Sequence, residues 1–322
     1  MPSPAAWNSV EGSFVDHPIR LPSGDRACAA ELGLQTADPT DNDPACRRTV
    51  LDLLDHPLFQ GAVAPLAVAL VAGFALSGTR FAWLAVILGY AMMIALDTGF
   101  SLIPPTVARK TMLIGLLSPL VGIVADTYPR RSGRIAAVLV AAMGLVSIWV
   151  FLTALENRTG ADAVVAGAGV GAFVAALIAA TLRLREDGLR CGAAGAGLGL
   201  AVGIAGILSA SISYSMAGLA IGVACGAMLI VQVVSSRPLA AGFTGALPVG
   251  LLAALVAAGT QQIALLPWYA LPLLLLVPVA VSLPVPTGAP LIARAAVLFG
   301  YALVAAAVPI SAAWYAARGA LF

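Results

Sequence analysis

Between residues 57 and 316 the sequence repeats one pattern ten times: a run of roughly 20 apolar residues, then a short polar break. Twenty residues of helix rise ~30 Å, the thickness of a bilayer's hydrocarbon layer. Inside that layer water cannot satisfy backbone N–H and C=O groups, so only helices and closed barrels cross it. Runs of this length constrain the chain to an all-α, polytopic integral membrane protein with about ten transmembrane helices. Composition points the same way. Of the 322 residues, 61% are hydrophobic and only 10% charged, against roughly 25% charged in soluble domains. The alternating ten-residue segments of a membrane barrel are absent.

The expected spans cover 57–77, 81–103, 109–125, 133–155, 162–183, 191–212, 216–235, 239–259, 263–283 and 290–316. The third is the shortest, with fifteen residues between Lys110 and Asp126. It is expected to cross with its charged flanks snorkelling, or to insert only in part. The last is longer than a bilayer needs and is expected to tilt, or to kink at Pro309.

Residues 1–55 differ from the rest. They hold nine acidic and four basic side chains, net −5, whereas the remainder holds thirteen basic and six acidic, net +7. Rich in Pro, Asp, Ser and Thr, with scattered apolar residues, this region reads as a mostly irregular extramembrane tail. "TVLDLLDH", 49–56, is patterned as a short amphipathic helix at the interface. Residues 56–322 form the transmembrane domain. The start, "MPSPAAWNSVEG", has neither a basic head nor an apolar core, so the first span is expected to insert the chain. Neither end carries a lipidation pattern.

Basic residues in the membrane part come in ones to threes between spans, which signals topology and excludes a nucleic-acid surface. Six lie near the membrane on the side of the termini and nine on the other. The majority assigns the second side to the cytoplasm of a bacterial-type inner membrane, leaving both termini and the acidic tail on the non-cytoplasmic side. There Cys28 and Cys46 can close a disulfide. Cys191 and Cys225 fall in spans and read as packing residues.

The sixth and seventh spans carry the most specific pattern. Gly195, Gly199 and Gly203 repeat every four residues, and Gly218, Gly222 and Gly226 do the same. That period lines each triplet along one helix face, where the missing side chains let backbones approach closely. Between the triplets, "SASISYSM", 209–216, has hydroxyls expected to bond back to helix carbonyls and cap the span ends.

Asp97 lies one to two turns inside the end of the second span, followed by Pro104 and Pro105, which break the helix. Arg109 and Lys110 open the third span on the same side, and His56 and Gln60 open the first. An acid, two bases, an imidazole and an amide are thus expected at one membrane surface. An intramembrane carboxylate is costly without a partner or water. Asp97 is either a proton or cation relay, or an anchor that pairs with Lys110 or Arg109 and pins the hairpin. Elsewhere Gln232, Tyr90, Tyr301 and Thr244 read as interhelical hydrogen-bonding groups, and Arg294 as a snorkelling residue. Trp83, Trp268, Tyr269, Trp314 and Tyr315 read as an aromatic belt.

Enzyme signatures are missing. With two histidines, His17 and His56, and no CxxC pair, the sequence offers no metal site and calls for no cofactor. It has no phosphate-binding loop and no serine elbow. Two function classes remain. Ten helices, small-residue seams and the similar stretches "SLIPPT" (101–106) and "SLPVPT" (282–287), which end spans on opposite sides as an inverted repeat requires, fit a small-solute transporter. Scarce midplane polar groups fit a noncatalytic structural or assembly subunit of a larger membrane complex, docking other subunits through the tail. Besides the lipid bilayer, those subunits are the only partners the sequence points to.

Overall fold

A computed structural model describes residues 56–97, 106–128, 132–156, 158, 160–263, 266–286 and 288–319. These form ten helical segments with no strand among the described residues. They are α1 (Phe59–Leu76, opening with a π-helical turn over Phe59–Val63), α2 (Leu84–Asp97), α3 (Val107–Asp126), α4 (Ser132–Leu155) and α5 (Gly160–Leu182). After these come α6 (Gly188–Leu208), α7 (Ile212–Ser235), α8 (Gly242–Ile263), α9 (Ala270–Val281) and α10 (Leu291–Gly319). Eight are long and apolar enough to cross a bilayer, and α2 and α9 are shorter. The chain is an all-α polytopic integral membrane protein. We call the surface where α1 begins the near face and the opposite one the far face.

The short spans are not the one expected. α3 runs 20 residues without interruption, because its charged ends lie within the helix: Arg109 and Lys110 in the first turn and Asp126 as the last residue. Instead α2 has 14 helical residues, about 21 Å of rise. α9 is broken at Leu274 and Leu275 into Ala270–Leu273 and Leu276–Val281, with Pro272 and Pro278 in its two halves. α10 stays helical through Pro309 over 29 residues.

α8 is the hub. Its span is 94% buried, against 28% for α1, α4 and α10. It packs against α3, α5, α6 and α7. Three glycines make this possible. Added side chains would collide with the Trp83 ring at Gly245, with Thr181 at Gly250 and with the Tyr214 ring at Gly259. Trp83 is therefore a core residue, 1% exposed, and not part of an aromatic belt. Trp268, Tyr269, Trp314 and Tyr315 do face outward.

α6 and α7 run antiparallel in close register. Gly192 meets Leu229, Gly195 meets Cys225, Gly199 meets Gly222, Gly203 meets Gly218 and Gly206 meets Ser215. The register holds for about four turns. A Cβ on Gly218 would sit 2.5 Å from the Gly203 nitrogen. Gly226 is the exception, with open space where its Cβ would be. At the end of α6 the Ser209 hydroxyl donates to the Ala205 carbonyl (2.8 Å), and in the first turn of α7 that of Ser215 donates to the Ile212 carbonyl (2.7 Å). Ser211, at the N-cap of α7, makes no side-chain cap bond.

Proline inside α3 is handled by a neighbour. Pro119 has no N–H for the Gly115 carbonyl four residues back, and the buried Ser118 hydroxyl donates to that oxygen at 2.7 Å. The acidic tail, the Cys28–Cys46 pair, residues 49–55 of the expected amphipathic helix, and Pro104 and Pro105 with most of "SLIPPT" lie outside the described residues.

Candidate functional site

Asp97 ends α2 and is half-buried. Two turns earlier on the same helix face, about 10 Å away along the axis, is Tyr90, which is wholly buried. Thr111 in the first turns of α3 and Tyr214 in the first turn of α7 are buried as well. Tyr90, Thr111, Ser213 and Tyr214 line one cavity of about 10 Å³, closed by Ala108, Met112, Ala217 and Val256. That volume is at the lower limit for a single water molecule.

None of the key polar atoms here has a hydrogen-bond partner among the described residues: Asp97 Oδ2, the Tyr90 hydroxyl, the Thr111 hydroxyl and the Tyr214 hydroxyl. A buried tyrosine normally finds a partner. In a bilayer an unpaired polar group costs several kcal/mol. The other buried atoms in this condition, Trp83 Nε1 and Ser235 Oγ, lie at the opposite ends of α2 and α7. Tyrosine and threonine hydroxyls both donate and accept, and a carboxylate accepts only, so these groups have the donors and acceptors that relaying a proton requires.

Of the other polar residues expected beside Asp97, Lys110 and His56 engage other groups. The Lys110 ammonium lies 3.4 Å from the Thr153 hydroxyl and 5.0 Å from the Trp149 ring centroid, both on α4. The exposed His56 uses Nδ1 to accept from the Leu58 N–H (3.2 Å), a local cap at the start of α1. The Arg109 backbone N–H donates to the Thr106 hydroxyl (3.4 Å), which caps α3. Gln60 sits half-buried in the opening π-turn of α1.

The far face is fastened by two carboxylates, Asp187 and Asp126, the second of which the sequence presents only as a snorkelling flank. Asp126 ends α3, yet its Oδ1 accepts from the Phe243 N–H (2.9 Å). Its Oδ2 accepts from the Thr244 N–H (3.0 Å) and hydroxyl (2.7 Å). One helix thus caps another, satisfying orphan donors at the positive end of α8. Gly242, with φ of +61°, makes the turn that presents those donors, and its own N–H donates to the Arg185 carbonyl (2.9 Å). Asp187 caps α6 through the Leu189 and Arg190 N–H groups (3.1 and 3.3 Å) and binds Arg190 Nε (3.2 Å). Arg190 also donates to the Val281 carbonyl (2.7 Å), and Arg294 approaches Asp187 to 4.0 Å. Arg294 is therefore tied into a cluster joining α6, α9 and α10. Gln232, one turn from the end of α7, accepts from the Leu239 N–H (3.2 Å) and holds the α7–α8 loop.

The two faces thus differ: matched carboxylates close the far one, and unmatched hydroxyls and a carboxylate lie toward the near one. Compared with protein-family models, curated proteins and solved structures, the chain matches none. The chemistry of these residues carries the functional reading by itself.

Proposed function

We propose that this protein is a small-solute transporter coupled to proton movement through Asp97, with Tyr90, Thr111 and Tyr214 forming the polar path beneath it. The supporting observation is the convergence of buried, unpartnered hydroxyls on one cavity, two turns along α2 from a half-buried carboxylate. A purely structural core would fill such positions with apolar side chains at lower cost. The cavity lies toward the near face while Asp126 and Asp187 tie helices together at the far face, an asymmetry that alternating access would use. The membrane is a bacterial-type inner membrane, with the near face non-cytoplasmic.

The experiment is a proton-flux assay in liposomes reconstituted with the full chain, loaded with a pH-sensitive dye and challenged with a panel of small solutes. One or more solutes are expected to drive proton movement, and Asp97→Asn is expected to abolish it with membrane abundance unchanged. Normal flux in Asp97→Asn reduces that residue to an anchor.

A second reading, a subunit of a larger membrane complex, draws on an apolar groove of about 480 Å³ on the outer surface, lined by Leu66, Leu200, Gly226, Ile230, Ile292 and Phe299 among others. Mass spectrometry of the protein purified in mild detergent separates the two readings. Constant protein partners favour the subunit; a solitary protein favours the carrier.

A further inference from the structure

A large concavity lies away from the Asp97 site. It is a groove of about 930 Å³ between α5, the end of α8 and the first half of α9. α5 contributes small side chains to its wall, including Gly169, Ala172 and Ala176, and Leu271, Pro272 and Leu275 of α9 line the other side. Val165, Ala172 and Ala176 are exposed, so the groove opens sideways, toward lipid. Its apolar wall follows α5 from Asp162 to Ala176, about 21 Å of rise.

The near-face end is polar. Arg158, Asp162, Gln261, Gln262 and Trp268 gather there. Arg158 donates to Gln262 Oε1 at 2.9 Å, which engages one of the five guanidinium N–H groups and leaves others for an anion. Asp162 stands one turn further on, exposed, and Trp268 is 73% exposed. One cation, one carboxylate, two carboxamides and an open indole face stand above a hydrocarbon-like trough.

We infer that this groove seats one zwitterionic phospholipid from the surrounding leaflet. Its phosphate binds Arg158, its primary ammonium binds Asp162 and the face of Trp268, and its acyl chains lie along α5. The balance of charge decides the class: an anionic headgroup would meet Asp162 without compensation, whereas a headgroup carrying both signs matches both side chains. The lateral opening decides the source. This inference is independent of the transport proposal.

The test reconstitutes the full chain in vesicles of equal phosphatidylethanolamine and phosphatidylglycerol, extracts it in mild detergent and counts lipids retained per protein by native mass spectrometry. Wild type is expected to hold one phosphatidylethanolamine. Gly169→Phe, at a position with nothing within 4 Å of an added Cβ, fills the trough and is expected to lower retention at least tenfold. Asp162→Asn, an isosteric change at an exposed position in the first turn of α5, is expected to bring the two lipids to equal retention. Undiminished retention in Gly169→Phe, or a wild type that holds both lipids equally, overturns the assignment. Thermal melts of both variants confirm that they are folded.

Discussion

Replacing Gly218 by alanine tests the α6–α7 seam directly. The added methyl would lie 2.5 Å from the nitrogen and 2.7 Å from the Cα of Gly203. Ordinary contact begins near 3.4 Å. Both obstructing atoms are backbone, so no rotamer change relieves the clash and the helices must part by about 0.9 Å at that level. Seam contacts are worth ~0.1–0.2 kcal/mol each, and a gap of that size forfeits a quarter to a half of each one. Over about forty contacts the loss is roughly 1–4 kcal/mol, overlapping the usual range for overpacking. That corresponds to a drop of roughly 2–8 °C in Tm. The assay follows from the same two helices. Cys191 and Cys225 are buried, so a thiol-reactive fluorophore labels them only as α6 and α7 separate. Cys28 and Cys46 are first changed to serine to silence the tail. Gly226→Ala is the control, since its Cβ meets nothing, and is expected to melt with wild type. A Gly218→Ala protein melting within 1 °C of wild type, or an equal loss in Gly226→Ala, would refute the close-contact account.

Two further outcomes are expected from the polar groups. Asp126→Ala strands the Phe243 and Thr244 donors at the buried start of α8 and should cost about 2–4 kcal/mol in the same melt, whereas Asp126→Asn keeps one acceptor oxygen and should recover part of that; equal melts for the two would show that the cap is not the source. Tyr90→Phe and Tyr214→Phe remove hydroxyls that hold nothing in place, so Tm should stay within 1 °C of wild type while proton flux falls at least tenfold. A fall in Tm with flux intact would show that the hydroxyls are structural.

The polar site was only partly legible. Asp97 stands out in sequence because a carboxylate inside an apolar run is rare, and Tyr90 because it is one of few hydroxyls within a span. Their association with Thr111 and Tyr214 was not legible, since these residues come from three helices whose apolar surfaces give no clue to which sides meet. Lys110, a natural partner for Asp97 by sequence, finds Trp149 and Thr153 on α4 instead. Asp126 reads as the snorkelling flank of a short span, and nothing local places it at the start of a helix more than a hundred residues later.

By itself the sequence determined the bilayer as solvent, the helical class, the number of segments and the glycine-lined faces of α6 and α7, though not that those faces meet each other. Each depends on a local quantity: the length of an apolar run, or a four-residue period that puts glycines on one face. Tertiary structure alone decided that α8 is the hub, that its glycines at 245, 250 and 259 receive Trp83, Thr181 and Tyr214, and that Asp126 caps it. The reason is the solvent. Lipid tails are as apolar as leucine, so hydrophobicity separates membrane from water but not the lipid-facing side of a helix from its packed side. Only the fit of particular shapes, and the few polar groups that must find one another across helices, settles the arrangement inside.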